Sequence, residues 1–120
     1  MKAVFDTNIL VDYLRGIAAA ATELALYQSN SISVISWMEV MAGTNSQTEA
    51  ATRTFLQSFE ILEIDTTIAE RAVAVRKLKR IKLPDAIILA TAQVRQCLLV
   101  TRNSRDFDAK DPAVRVPYIL

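Results

Sequence analysis

The chain has 120 residues, 52% of them hydrophobic, and a formal net charge of +1, which suits one compact globular domain and leaves no room for a second. No apolar run approaches the roughly 18 residues needed to cross a bilayer, and Asp6 and Asp12 interrupt the apolar start, so the expectation is a cytoplasmic protein without signal peptide or membrane span. Having no histidine, the chain cannot build Ser-His or Cys-His nucleophiles or histidine-bearing zinc sites; two glycines are too few for a P-loop or dinucleotide fingerprint; and the lone Cys97 reads as a small buried hydrophobe.

Ala3-Val4-Phe5 reads as a short buried strand, followed by a helix from about Asn8 to Leu14 that Arg15-Gly16 closes. Helical pattern resumes from Ala18 to Tyr27, and the alternation in Ser31 to Ile35 predicts a second strand. Ser36 and Glu39 have the S-x-x-E spacing of a capping box, which predicts a helix opening at Ser36 and reaching Ala42-Gly43. Ser46 and Glu49 repeat the spacing ahead of a helix to about Ser58, and Phe59 to Ile64 reads as a third strand. Thr67 and Glu70 repeat it again, opening a helix with Ile68, Ala72, Val75 and Leu78 on one stripe and an end near Lys82. Pro84 suits the first position of the next helix, whose nearly continuous apolar run from Ala86 to Val94 predicts burial. Gln96 stands where a helix commonly ends on a left-handed glycine, Cys97 to Thr101 reads as the fourth strand, and Val116 to Leu120 as a short fifth. Strands separated by helices predict a parallel sheet covered on both faces.

Sites in such sheets form beyond the carboxyl ends of the strands. Asp6 follows the first strand, Glu39 the second, Asn103 and Asp106 the fourth, and Asp85 lies in the first turn of the buried helix, so five polar positions converge on one rim. Singly, each has an ordinary explanation: a cap for Glu39, a complement to the helix dipole for Asp85, turn residues for Asp6 and Asp106. Their shared location is what those explanations leave over. Gathered carboxylates repel one another and raise each other's pKa, a cost that a hard divalent cation removes; Mg²⁺ or Mn²⁺ held this way commonly assists phosphodiester hydrolysis. Asp12, Asp65, Asp108, Asp111 and the remaining glutamates are expected to be solvated surface or caps, and Trp37 to be core.

Phe5-Asp6-Thr7-Asn8, Ile35-Ser36-Trp37-Met38-Glu39-Val40, Lys82-Leu83-Pro84-Asp85-Ala86-Ile87-Ile88 and Val100-Thr101-Arg102-Asn103-Ser104-Arg105-Asp106-Phe107 together resemble the successive signatures of PIN-domain ribonucleases, most of all the VapC-type toxins of bacterial type II toxin–antitoxin pairs. The resemblance implies one PIN domain over residues 1–120, an α/β/α sandwich with a mainly parallel sheet of four to five strands, and Mg²⁺- or Mn²⁺-dependent endonucleolytic cleavage of RNA. It implies catalytic roles for Asp6, Glu39, Asp85 and Asp106, with Asp6, Asp85 and Asp106 holding metal. Asn103 stands where many PIN proteins carry an acid, so the choice between it and Asp106 as fourth site residue is open at this point. Thr7, Asn8, Ser36, Thr101 and Asn103 are implied orienting groups. Also implied are a homodimer and a cognate antitoxin that covers the acidic groove.

For substrate contact, Arg102 and Arg105 flank the carboxylates, and Arg71, Arg76, Lys77, Lys79, Arg80 and Lys82 crowd one span without an acid, of which Arg76, Lys77 and Arg80 are the candidate RNA contacts. A solvated helix face is the competing account of that span. Two rival functions stand beside the nuclease. A phospho-accepting receiver domain has similar length and layout, but it would carry an acidic pair after the first strand and a lysine after the last strand of the site, where this chain has Asp6-Thr7 and Thr101-Arg102-Asn103. A catalytically silent PIN-like scaffold binding RNA or a partner is the other.

Overall fold

Strand β1, Lys2–Phe5, runs through the middle of the sheet, and its three apolar residues Ala3, Val4 and Phe5 are fully buried. The computed structural model describes residues 2–120. After β1 come α1 (Thr7–Leu14), α2 (Ala18–Leu24), β2 (Ser29–Ser33), α3 (Val34–Ala42), α4 (Glu49–Leu56), β3 (Glu60–Leu62), α5 (Thr66–Lys79), α6 (Leu83–Arg95), β4 (Leu98–Val100) and β5 (Val114–Arg115). The sheet order is β3-β2-β1-β4-β5 and every pairing is parallel. This is the expected α/β/α sandwich.

Side-chain alternation in the strands distributes the core between two layers. Ala3 and Phe5 join Ile9, Leu10, Ala20, Ile32, Val40, Leu56 and Phe59 on the face covered by α1 to α4, whereas Val4 and Leu99 join Ile88, Leu89 and Ala92 of α6 on the other. Chain order places the topological switch between β1 and β4: from β1 the chain moves outward to β2, and from β4 it moves outward to β5. A crevice therefore opens where Asp6 leaves β1 and Thr101 leaves β4.

Several boundaries differ from expectation, and local hydrogen bonds explain them. β2 begins and ends two residues earlier, because the Ser33 hydroxyl accepts from the Ile35 N–H at 3.1 Å and starts α3 at Val34. Ser36 is thus inside α3 and does not cap it. Thr67 does not cap α5 either: the Asp65 carboxylate accepts from the Ile68 N–H at 2.8 Å, which fits the cap role expected of Asp65. Ahead of α4, the Asn45 side chain accepts from the Gln47 and Thr48 N–H groups, and Ser46 plays no such part. Helix α2 stops at Leu24, short of Tyr27; β3 keeps only Glu60–Leu62; and β5 pairs at Val114–Arg115, ahead of the expected Val116 to Leu120. Leu78 leaves its predicted stripe at 82% exposure, and α5 ends at Lys79 on the left-handed Arg80. Gln96 is left-handed as well (φ 57°), taking the place of the usual glycine. Gly16, at φ +83°, ends α1 in a conformation that strains residues with side chains. Cys97 is buried, as expected.

Asp12 and Glu23 depart furthest from the surface role expected of them. Asp12 is 1% exposed and receives the Arg102 guanidinium through two bonds, 2.7 and 3.0 Å, and the Tyr118 hydroxyl at 2.8 Å. Glu23 is similarly buried, bound by Arg115 at 2.6 and 3.0 Å and by the Tyr27 hydroxyl at 2.6 Å. Each pair ties an early helix to the end of the chain. Burial pushes the Asp12 carboxyl up, but hydrogen bonds from Arg102 and Tyr118 and the nearby guanidinium charges outweigh it and hold the group below the usual carboxylate range.

A carboxyl lowered by folding stabilises above its unfolded pKa of 3.8 and loses that contribution as pH falls through its folded value. Arg102→Ala is expected to cost about 3 kcal/mol in urea unfolding at neutral pH, since it leaves a buried charge without its cation. The gap to wild type should narrow below pH ~4. An unchanged gap there would show that Arg102 acts through packing alone.

Candidate active site

The turn from β1 into α1 is a single residue, Asp6, so its side chain has no room to swing into solvent. Its backbone N–H bonds the Val100 carbonyl of β4 at 2.9 Å, and the carboxylate, 4% exposed, sits in the crevice between the two strands. Oδ1 accepts from the Thr7 N–H at 2.7 Å, while Oδ2 accepts from the Thr101 hydroxyl at 2.7 Å and from Asn8 Nδ2 at 3.2 Å. These partners offset only part of the cost of burial. Desolvation dominates, and with the nearby charges of Asp85 and Glu39 it pushes the Asp6 carboxyl up to about 6. With no histidine in the chain, a group can titrate near neutrality only through a strong shift, and burial supplies that shift at Asp6.

Glu39 projects from α3, one turn beyond Ser36. The Thr7 hydroxyl donates to Glu39 Oε1 at 2.7 Å and lies 3.0 Å from the buried Ser36 hydroxyl, so Ser36, Thr7 and Glu39 form a short chain. This partner replaces the capping box as the account of Glu39's position. Asp85 lies in the first turn of α6, reached through Pro84, and is half-buried. Burial raises its carboxyl, the charges of Asp106 and Glu39 raise it further, and Lys82 opposes them. The four acids therefore feel one another, as the strand-end positions predict.

The loop after β4 is held by its own polar groups. Asn103 N–H donates to the Thr101 hydroxyl at 3.0 Å, Asn103 Nδ2 donates to Asp106 Oδ2 at 3.0 Å, and the Asp106 N–H donates to Asn103 Oδ1 at 3.2 Å. Asn103 thus spends both ends of its amide fixing Asp106, an orienting part that leaves the charge to Asp106. The Arg102 N–H donates to Asn8 Oδ1 at 3.2 Å, which joins this loop to α1. Its guanidinium, expected as a phosphate contact, bonds Asp12 through Nε and one terminal nitrogen and also lines the acidic cleft. Arg105 is exposed beside the loop.

Asp6, Thr7, Asn8, Glu39, Asp85 and Asn103 line one cleft of about 300 Å³. Asn103, Arg105 and Asp106 line an adjoining one of about 400 Å³. A larger groove of about 610 Å³ between α1, α3 and α4 shares only Val11 and Glu39 with the acidic cleft. Among the described residues no three acidic or thiol side chains form a ready-made metal cage. A hard ion that needs one or two carboxylates and keeps its waters does not require one. Sequence reasoning missed Asp12, whose partner lies 90 residues away.

The PIN domain family model matches residues 3–111 of the chain. Ribonuclease VapC10 of Mycobacterium tuberculosis is 32% identical over 106 residues, which covers 82% of this chain and 80% of that protein. A toxin-antitoxin complex from Klebsiella pneumoniae contains a chain 48% identical, with a TM-score of 0.93 and coverage of 98% and 99%. DNA-bound VapBC from Salmonella typhimurium is 25% identical, with a TM-score of 0.79 and 96% coverage of each chain.

A carboxyl raised by folding contributes stability that is full below its unfolded pKa, here 3.8, and is lost as pH rises through the folded value near 6. In chelator, Asp6→Asn should therefore melt with wild type near pH 4 and be more stable by roughly 3 kcal/mol above pH ~7. Parallel stability curves across that range would show that Asp6 is not strained by its burial.

Proposed function

The chain belongs to the PIN-domain family as a relative of the VapC ribonucleases, and we propose that it is a metal-dependent endoribonuclease whose working centre is the acidic cleft beyond β1 and β4. The observation that carries this reading is Asp6: a buried carboxyl, raised to about 6, beside a second raised carboxyl on Asp85. Such a pair is unfavourable by itself and fits a hard divalent cation. Asp6, Asp85 and Asp106 would hold Mg²⁺ or Mn²⁺, with Glu39 beside them. When bound, the ion supplies an acidified water and offsets charge on the leaving oxygen.

The remaining work falls to the chain itself. Thr101, Asn8 and the Thr7 amide fix both oxygens of Asp6. The Thr7 hydroxyl fixes one oxygen of Glu39, leaving the other to accept a proton or orient a water. Asn103 keeps Asp106 in one rotamer. Exposed Arg105 would contact a phosphate, whereas Arg102 supports the loop through Asp12.

The whole of residues 1–120 would act as a single PIN domain, in the cytoplasm, as a homodimer. A cognate antitoxin would cover the cleft, a reading supported by the toxin-antitoxin complex from Klebsiella pneumoniae that contains the 48% identical chain. Among the described residues no helix is long and apolar enough to cross a membrane.

The test is cleavage of a mixed pool of labelled RNAs by partner-free protein with Mg²⁺, Mn²⁺ or chelator. Cleavage should require metal and fall to background in folded Asp6→Asn and Asp85→Asn, and Ser36→Ala should lower it about 10–100-fold. Folded wild type that binds RNA yet cleaves none of it with either metal would establish the silent scaffold instead.

A further inference from the structure

We infer that the carboxyl end of α5 and its link to α6 form a track for the phosphate backbone of single-stranded RNA, a surface that rests on the nuclease reading above and leads the substrate strand to Asp85. Among the described residues, four of the 14 Lys and Arg side chains are in ion pairs: Arg53, Arg95, Arg102 and Arg115. Six of the remaining ten lie between residues 71 and 82, a span without an acid, and all six are exposed. Cations merely solubilising a helix are ordinarily interspersed with acids. Here the span has none, and four of the chain's 13 acids, Asp6, Glu39, Asp85 and Asp106, stand at the clefts that α6 leads into.

Three of these cations converge. Arg76, Lys77 and Arg80 alone line a concavity of about 350 Å³, ample for a phosphodiester and its waters. The concavity has a fixed wall, because the Arg76 guanidinium donates to the Ile81 carbonyl and ties the link down. Arg80 occupies the left-handed cap position (φ 56°) that glycine usually fills, so a cation stands where a residue without a side chain fits more easily. Beyond it, Lys82 immediately precedes α6, whose first turn carries Asp85. The five residue steps from Arg80 to Asp85 span at most about 18 Å, a length that a strand of a few nucleotides covers. A polyanion bound along the track would therefore extend into the acidic cleft.

Binding would be measured by anisotropy of a short labelled single-stranded RNA in chelator, across a salt series, with kcat/KM for its cleavage measured in parallel with metal. The variant is Lys77→Gln with Arg80→Gln, which leaves the Arg76 anchor intact. Lys2→Gln with Lys110→Gln is the control. Loss of two phosphate contacts should reduce the slope of log K against log salt by about 1.4, which amounts to about 25-fold weaker binding at about 0.1 M salt if the contribution vanishes at about 1 M. The loss should be similar for all sequences, and kcat/KM should fall with it while the control stays at wild type. Wild-type slope and kcat/KM in the folded double variant would overturn the track and leave the nuclease standing. If wild type neither binds nor cleaves RNA, the nuclease reading fails and the track with it. Exposed Leu78 beside these cations suits a lipid surface as well. Loss of binding to anionic vesicles with RNA binding intact would therefore overturn the proposal in favour of a membrane.

Discussion

The acidic rim takes its character from one constraint, the Asp6 carboxylate held out of water at the junction of β1 and β4. The constraint begins with β1, which is buried on both faces and passes into α1 through Asp6 alone. A strand so enclosed cannot shift to expose its last side chain without dragging Ala3, Val4 and Phe5 out of both core layers. The carboxylate is therefore confined: Thr7 and Asn8 reach it locally from the start of α1, and the β1–β4 pairing brings Thr101 to its other side. Their hydrogen bonds compensate part of the lost hydration and leave the group raised. Its charged form stays costly because desolvation outweighs those hydrogen bonds and the charges of Asp85 and Glu39 add to it.

Elsewhere the chain treats buried charge in the opposite way. Asp12 and Glu23 are as buried as Asp6, yet each has an arginine gripping both oxygens and a tyrosine hydroxyl in support. Those two carboxyls lie below their ordinary range, and Asp6 and Asp85 lie above it. This contrast separates structural acids from candidate chemical ones more sharply than burial alone does. It also takes Arg102 out of the pool of free cations and gives it another task, since the loop carrying Asn103 and Asp106 is tied to α1 through Arg102.

The candidate site residues were legible because each sits at a grammatical position: the end of a strand, or the first turn of a helix. Asp6 after Ala3-Val4-Phe5 and Asp85 after Pro84 needed only local pattern. Boundaries failed where two polar residues competed for one role. Ser33 and Ser36 both suit a cap, and the pairing of β2 with β1 and β3 decides for Ser33. Asp65 and Thr67 compete in the same way, and the carboxylate prevails. Leu78 fits the helical period of its stripe, but the stripe extends beyond the part of α5 that α6 covers.

By itself the sequence determined the alternation of strands and helices, the parallel sheet, and which carboxylates stand at its rim, because hydrophobic period and turn chemistry are local properties carried by neighbouring residues. Tertiary structure alone decided which acids are neutralised and which are left charged against one another. Arg102 and Arg115 reach partners 90 and 92 residues earlier, and Thr101 reaches Asp6 across 95. Hydration and Coulomb energy depend on distances in space, and those are set only when β4 closes against β1.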